Sequence, residues 1–233
     1  MLDTGSIAKR MGLSKSTTYK YVQTLETCGF LVREDGGTFF KLGPRLVTLV
    51  SGFQPASTLV EASYLVMRNL VEQTNETALL ATIMGNRAVC LSRVEGNHNL
   101  KLTYEIGTTY PLHAGASALV LLAGVDAKVR HKLLPTLTLD GYTQNTITSF
   151  EGLRSRLDQI CKDGYAVSEG ELDEGAFAVA APVTSSSGKV VASLSLGGPI
   201  YRFDEDKEQR YVQLVCAGAR RISELMDVHT YPK

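Results

Sequence analysis

The sequence carries no net charge, only four cysteines and no apolar run near the ~20 residues of a membrane-spanning helix. The longest candidate, Ala116 to Val125, is too short and too rich in small residues to cross a bilayer, so no membrane partner is expected. Met1-Leu2-Asp3-Thr4 lacks the basic-then-apolar pattern of a secretory signal, which points to the cytoplasm. Cys28, Cys90, Cys161 and Cys216 are scattered without metal-ligand spacing and read as small buried residues in a reducing compartment. No metal site is expected from them. Gly36-Gly37 and Gly197-Gly198 lack phosphate-loop spacing and read as turns, and no cofactor is expected.

What is present is enough apolar material, 44% of 233 residues, for one large domain or two modest ones. The zero net charge hides a split. Residues 1 to 45 hold seven basic and four acidic side chains, a net +3, which leaves −3 on the remainder. A basic head on an acidic body suits phosphate contact at one end only. In that head, Ser6 is positioned to cap a helix whose apolar side is Ile7, Ala8 and Met11, and Gly12 ends it. Ser14 is a second cap, able to satisfy a free amide near Ser16 or Thr17. Thr18, Val22 and Leu25 then fall on one helical face, with Lys15, Ser16, Tyr19, Lys20 and Gln23 toward the other. Gly29 closes this helix. Phe30 to Arg33, the turn residues Glu34-Asp35-Gly36-Gly37 and Thr38 to Leu42 read as a hairpin. Two capped helices, a tight turn and a glycine-tipped hairpin in this order are the layout of a winged helix-turn-helix, which puts one helix in the DNA major groove. The donors Ser14, Lys15, Ser16, Thr17, Tyr19, Lys20 and Gln23, with Lys41 in the wing, are the candidate DNA contacts.

Beyond the head, Pro44 to Phe53 reads as a linker helix with Leu46, Leu49 and Val50 as its apolar stripe. Ser57 is placed to cap the next helix, which runs to about Asn75 with Leu59, Ala62, Val66, Leu70 and Val71 inward. Strands are expected over Thr77 to Met84, Ala88 to Val94, Leu100 to Glu105, Ala176 to Val183 and Val190 to Leu196. Helices are expected near Ala114 to Ala123, Ala127 to Leu134, Phe150 to Lys162 and Asp204 to Met226, the last packing Tyr211, Leu214, Val215, Ala219 and Ile222. The fold class is α+β, with a mostly antiparallel sheet and helices beside it. The domains are a head over 1–43, a linker over 44–56 and a sensor-like body over 57–233. No catalytic constellation stands out. Cys90 with His113 is the one conceivable nucleophile and base, but no third group orients them.

The run Leu13-Ser14-Lys15-Ser16-Thr17-Thr18-Tyr19-Lys20-Tyr21-Val22-Gln23-Thr24-Leu25-Glu26, followed by Gly29-Phe30-Leu31, resembles the recognition helix of the IclR family of transcription regulators. Lys41 to Leu46 resembles that family's exit from the wing, and Pro111 to Ala116 its entry to an effector-domain helix. Gly164-Tyr165, Ala180 to Val183, Ala192 to Pro199 and Arg202 resemble its C-terminal signature. The resemblance implies a GAF-like effector domain, operator DNA and a small-molecule effector as partners, and assembly as a homodimer or tetramer. It also implies an effector pocket at the positions matching Gly115, Ala116, Ser168, Ala176, Ala178, Ser195 and Gly197. Family members often have Asp, Cys and Ser where this chain has Ser168, Ala178 and Gly197. The pocket is thus expected to be less polar, which leaves open an effector unlike glyoxylate or pyruvate. Cys90, Tyr104 and Glu169 are further candidates, equally readable as core or rim residues.

Family members usually carry a helix before the equivalent of Ser6, and this chain starts almost at Ser6. Without that helix, Ile7, Val22 and Leu25 would lose cover. Three functions follow: a ligand-responsive regulator, sensing a small organic acid or related metabolite and repressing a catabolic operon; a small-molecule-binding protein with a non-functional head; and, third, an enzyme on the body.

Overall fold

A computed structural model describes residues 2–34, 37–46, 48, 54–102 and 104–230, with the backbone alone at 54–58 and 227–230. The chain divides into two compact units, Met1–Ser57 and Thr58–Lys233.

The first unit is built from α1 (Thr4–Met11), α2 (Lys15–Thr27) and three short strands, β1 (Leu2–Asp3), β2 (Leu31–Arg33) and β3 (Phe39–Leu42). The strands form an antiparallel sheet in the order β1-β3-β2, with Leu2 opposite Phe40 and Leu31 opposite Leu42. Ser6 is not the cap of α1. Asp3 caps it, its carboxylate accepting from the Ser6 amide at 2.9 Å, and this bond holds the Asp3 carboxyl below the usual carboxylate range. An anion one turn earlier suits the positive end of the helix, so Thr4 and Gly5 join it. Gly12 ends α1 with φ 64°. Ala8, Thr18, Val22 and Phe40 are buried, whereas Met11 and Leu25, expected on inner faces, are 62% and 42% exposed. Helix α2 ends at Thr27 and Cys28 is its cap, one residue before Gly29. Most of the expected linker helix, including Leu49 and Val50, lies outside the described residues.

The second unit is a six-stranded antiparallel sheet in the order β6-β5-β4-β9-β8-β7. Its strands are β4 (Thr77–Met84), β5 (Arg87–Val94), β6 (Thr109–Pro111), β7 (Ala166–Glu169), β8 (Ala176–Thr184) and β9 (Val190–Pro199). The helices are α3 (Gln54–Thr74), α4 (Ala116–Ala123), α5 (Ala127–Leu133), α6 (Phe150–Asp163) and α7 (Glu205–Thr230). Ser57 falls inside α3 rather than at its start. Pro55 is tolerated there because first-turn amides have no intrahelical acceptor to lose.

Side-chain size on alternate strand positions decides where the core is solid and where it is hollow. On one face of the sheet, Leu80, Phe177, Val179, Val183, Leu194 and Leu196 pack against Met67 and Leu70 of α3 and Tyr211, Val215 and Ile222 of α7. Phe177 stacks on Phe203 with ring centres 4.1 Å apart. On the other face the same strands present Ala178, Ala180, Ser193, Ser195 and Gly197. Here α4, buried along its whole length, and α6 close the core with Leu119, Leu122, Leu153 and Leu157. Small residues toward α4 leave space at its N-terminal end.

Several elements differ from expectation: β1 was not anticipated, and Gly197 and Gly198, expected as turns, lie inside β9. Leu100 to Glu105 forms no strand where described, although it alternates apolar and polar residues. Polar anchors hold it instead: Lys101 Nζ pairs with Glu95 at 2.6 Å, and Arg93 donates to the Tyr104 carbonyl at 2.9 Å. The edge strand is β6, tied to β5 by Arg87 Nε donating to the Thr109 hydroxyl at 3.1 Å. Strand β7 was not anticipated. It pairs with β8, Ala166 opposite Ala180 and Ser168 opposite Ala178.

Candidate functional site

In the first unit, Ser14 starts α2. Its hydroxyl accepts from the Thr17 amide at 3.1 Å and lies 3.0 Å from Ser16 Oγ and 2.8 Å from Thr17 Oγ1. Thr18 and Val22 fix the buried side, and Lys15, Ser16, Tyr19, Lys20 and Gln23 are exposed on the other. The first turn carries no acidic residue, so the positive end of the helix dipole is uncompensated. Arg33 of β2 braces the hairpin on α2, donating to Glu26 at 2.8 Å while lying 4.9 Å from the centre of the Phe40 ring. Lys41 is exposed on β3, with Glu34 at the outer limit of an ion pair, 4.0 Å away. A capped helix start with lysines, hydroxyls and an amide on one open side suits phosphates and base edges. Tyr21, 59% exposed on the same helix, was not singled out from the sequence.

In the second unit, the hollow above the small-residue face is a cavity of about 50 Å³ at the N-terminal end of α4. That is space for about four water-sized groups. All seven expected effector residues line it: Gly115 and Ala116 from the helix start, Ser168 from β7, Ala176 and Ala178 from β8, and Ser195 and Gly197 from β9. The sequence places these segments up to about 80 positions apart, and the sheet register brings them together, Ala178 opposite Gly197 and Ala180 opposite Ser195. Gly115 has φ 86°, a left-handed conformation that favours glycine and turns the chain into α4. Leu79, Leu102, Leu172 and Phe177 form apolar walls. Leu102 fills the place a side chain at 197 would take, since a Cβ there would lie 2.9 Å from its Cδ2.

The first amides of a helix have no intrahelical acceptor. Here a side chain of β7 and one of the loop after it take two of them. Gly115 N–H donates to Glu171 Oε2 at 2.8 Å and Ala116 N–H to Ser168 Oγ at 3.0 Å. Burial pushes the Glu171 carboxyl up, while the Gly115 amide and the charge of Arg156 pull it down. A hydroxyl chain runs along the wall: Tyr110 Oη to Ser117 Oγ at 3.1 Å, then to Ser193 Oγ at 2.7 Å. Burial pushes the Tyr110 phenol up to about 12. At the rim, Tyr104 donates to Asp173 Oδ2 at 3.2 Å, and burial, then the Asp173 charge, push its phenol far above the ordinary value. The Ser195 hydroxyl, in a residue 2% exposed, has no hydrogen-bond partner among the described residues.

Of the further candidates, Tyr104 lines the cavity and Cys90 and Glu169 do not. Cys90 Sγ is directed at the Ser92 carbonyl, 3.6 Å away. Glu169 is the exposed end of β7. His113 is occupied elsewhere, its Nε2 2.9 Å from the Asp140 carbonyl and its ring tilted on Tyr142, so it is not paired with Cys90. Glu171, Asp173, Leu79, Leu102, Tyr110 and Ser117 were missed. The Glu171 contact spans 56 positions and no spacing motif marks it.

A winged helix-turn-helix followed by a separate unit with a lined cavity is the organisation of a transcription regulator. Comparison with known proteins fits that class at both ends of the chain. Residues 3–35 match the IclR helix-turn-helix domain and residues 56–224 match the bacterial transcriptional regulator IclR C-terminal domain. The chain belongs to the IclR family of transcriptional regulators. It is 33% identical to the HTH-type transcriptional regulator KdgR of Escherichia coli over 97% of this chain and 86% of that protein. It is 26% identical to the E. coli transcriptional repressor IclR over 93% of this chain and 80% of that one. Among solved structures, an IclR homologue from Microbacterium hydrocarbonoxydans complexed with 4-hydroxybenzoate aligns with TM-score 0.83 and 25% identity, covering 96% of this chain and 90% of that one. No described helix is long and apolar enough to cross a membrane.

Proposed function

We propose that this protein is a repressor of a catabolic operon, released from or held on its operator by a small organic acid in the α4 cavity. Residues 1–43 act as the DNA-binding head, 44–56 as the linker and 57–233 as the effector unit. The observation that carries the effector reading is the convergence of Gly115, Ala116, Ser168 and Ser195 on one cavity at a helix start. Oriented amides at the positive end of a helix, with hydroxyls beside them, are a receptor for a carboxylate. The 4-hydroxybenzoate in the Microbacterium neighbour carries that group, which supports the same class here. On the head, Lys15, Ser16, Thr17, Tyr19, Lys20 and Gln23 meet the major groove, with Ser14 at the helix start and Lys41 on a phosphate. A single recognition helix reads too few bases to be selective, so the working form is a homodimer or a dimer of dimers.

The test is a thermal-shift screen against carboxylic-acid metabolites, followed by calorimetry. A ligand at about a hundred times its Kd stabilises the folded form by about 2.7 kcal/mol, a rise of roughly 5–10 °C. Ala116→Trp puts an indole into the cavity and is expected to abolish both the shift and the heat of binding. Ligand affinity unchanged by Ala116→Trp places the effector elsewhere. A gel shift with DNA upstream of the protein's own gene, with and without the acid, tests the regulatory half. Light scattering tests the dimer.

A further inference from the structure

The cavity contains a carboxylate of its own. Glu171 Oε2 accepts the Gly115 amide at 2.8 Å, where the acid group of an effector would dock. Glu171 and Asp173 both line the cavity, and neither Lys nor Arg is among the lining residues. A second anion entering beside Glu171 meets a like charge at short range in a poorly solvated space. Two further groups mark the place as built for a ligand's oxygens. Ser195, a residue 2% exposed, lines the cavity and its hydroxyl has no partner among the described residues, and Ser168 accepts from the Ala116 amide while its own proton has no acceptor among them. The Gly115 amide donor and two hydroxyls with uncommitted protons therefore line the same cavity as the Glu171 carboxylate.

We propose that Glu171 is the specificity-determining residue of this cavity: its carboxylate occupies the Gly115 amide as an internal ligand, and an acid effector binds by displacing it. The proposal rests on the reading of the α4 start as the effector's carboxylate site. A neutral ligand of the same shape leaves Glu171 in place. An acid takes its amide and gains the Ser168 and Ser195 hydroxyls. Glu171 thereby sets a threshold that only acids with further contacts to the apolar walls overcome. It also fills an amide that would otherwise be buried unpaired.

The experiment uses acetate as the minimal carboxylate and acetamide as its neutral counterpart, added to the full-length protein labelled with ¹⁵N-glycine. The readout is the Gly115 amide resonance. In Glu171→Gln the side chain keeps its length and an acceptor for Gly115 but loses its charge, so its hold on the amide weakens. The expected result is that acetate binds Glu171→Gln about tenfold more tightly than the unmodified protein, while acetamide binds both alike. Glu171→Asp, one methylene too short to hold the amide, provides a second route should the first variant fold poorly, with a several-fold gain expected. If acetate moves the Gly115 resonance with equal affinity in all three proteins, the docking reading stands and the role given to Glu171 is overturned. If acetate leaves Gly115 unmoved in all of them, the carboxylate site itself is wrong.

Discussion

Replacement of Arg202 by alanine is expected to destabilise the larger unit by about 3–5 kcal/mol. Arg202 and Glu76 form a two-pronged ion pair, Nε to Oε1 at 2.7 Å and Nη2 to Oε2 at 2.6 Å, with the Glu76 side chain 2% exposed. Removing the guanidinium strands a buried carboxylate, and that uncompensated charge supplies most of the cost. In thermal unfolding the loss corresponds to a fall on the order of 10 °C. The backbone is shaped to the pair, since a Cβ at Gly198 would lie 2.2 Å from Glu76 Oε2. The same arginine bears on the effector cavity indirectly. Its Nη1 donates to the Leu100 carbonyl at 3.1 Å, in the segment that carries Leu102 and Tyr104 over the cavity. Arg202→Ala should therefore weaken ligand binding as well. The double variant Glu76→Leu, Arg202→Met separates the two effects: it is expected to recover much of the stability, because no charge is left buried, but not the anchor on Leu100. A single variant that melts within a degree of the unmodified protein removes this account of the pair.

Periodicity and turn residues were enough to locate β4, β5, β8, β9 and α4 to α7 within a few residues, because each has a strong apolar pattern and clear boundaries. The errors lie where several local solutions compete. Ser6 and Asp3 are both competent caps, and the charged one was favoured by the dipole. Leu100 to Glu105 has the alternation of a strand, but ionic anchors on Glu95, Arg93 and Arg202 hold its described part outside the sheet. β7 is only four residues long, too short for alternation to signal it. The cavity was legible only through family resemblance, which pointed to seven of its lining positions. Glu171, Tyr110 and Ser117 were not, since their roles depend on long-range packing and on hydroxyl contacts such as the 2.7 Å bond from Ser117 to Ser193. The expectation of a less polar pocket is only half the picture. Ser168, Ala178 and Gly197 do reduce polarity, but Glu171 and Asp173 line the same cavity.

Operator affinity is expected to fall about a thousandfold between 50 and 200 mM salt. Three lysines lie on the open side of the head, Lys15 and Lys20 on α2 and Lys41 on the wing, all exposed. A pair of heads places about six such charges on phosphates, and each releases counterions on binding, so log affinity against log salt should have a slope near −5. A single head would give about half that slope, which makes the measurement a check on pairing as well. The side chains then divide by role. Lys20→Ala should weaken all DNA sequences alike and flatten the slope by about two for the pair if Lys20 holds a phosphate. If it reads a base edge, preference at one position relaxes instead. Lys41 has Glu34 4.0 Å away, so part of its charge is already offset. Glu34→Gln is accordingly expected to raise affinity modestly at low salt, with the gain vanishing as salt screens it. The Ser14 hydroxyl is committed to the Thr17 amide, so Ser14→Ala should act through helix stability, at about 1 kcal/mol, rather than through the salt slope. Fluorescence anisotropy with an operator fragment and with random DNA of equal length, across that salt range, measures every one of these terms. Binding indifferent to salt would show that phosphate contact by this helix and wing is not how the head holds DNA.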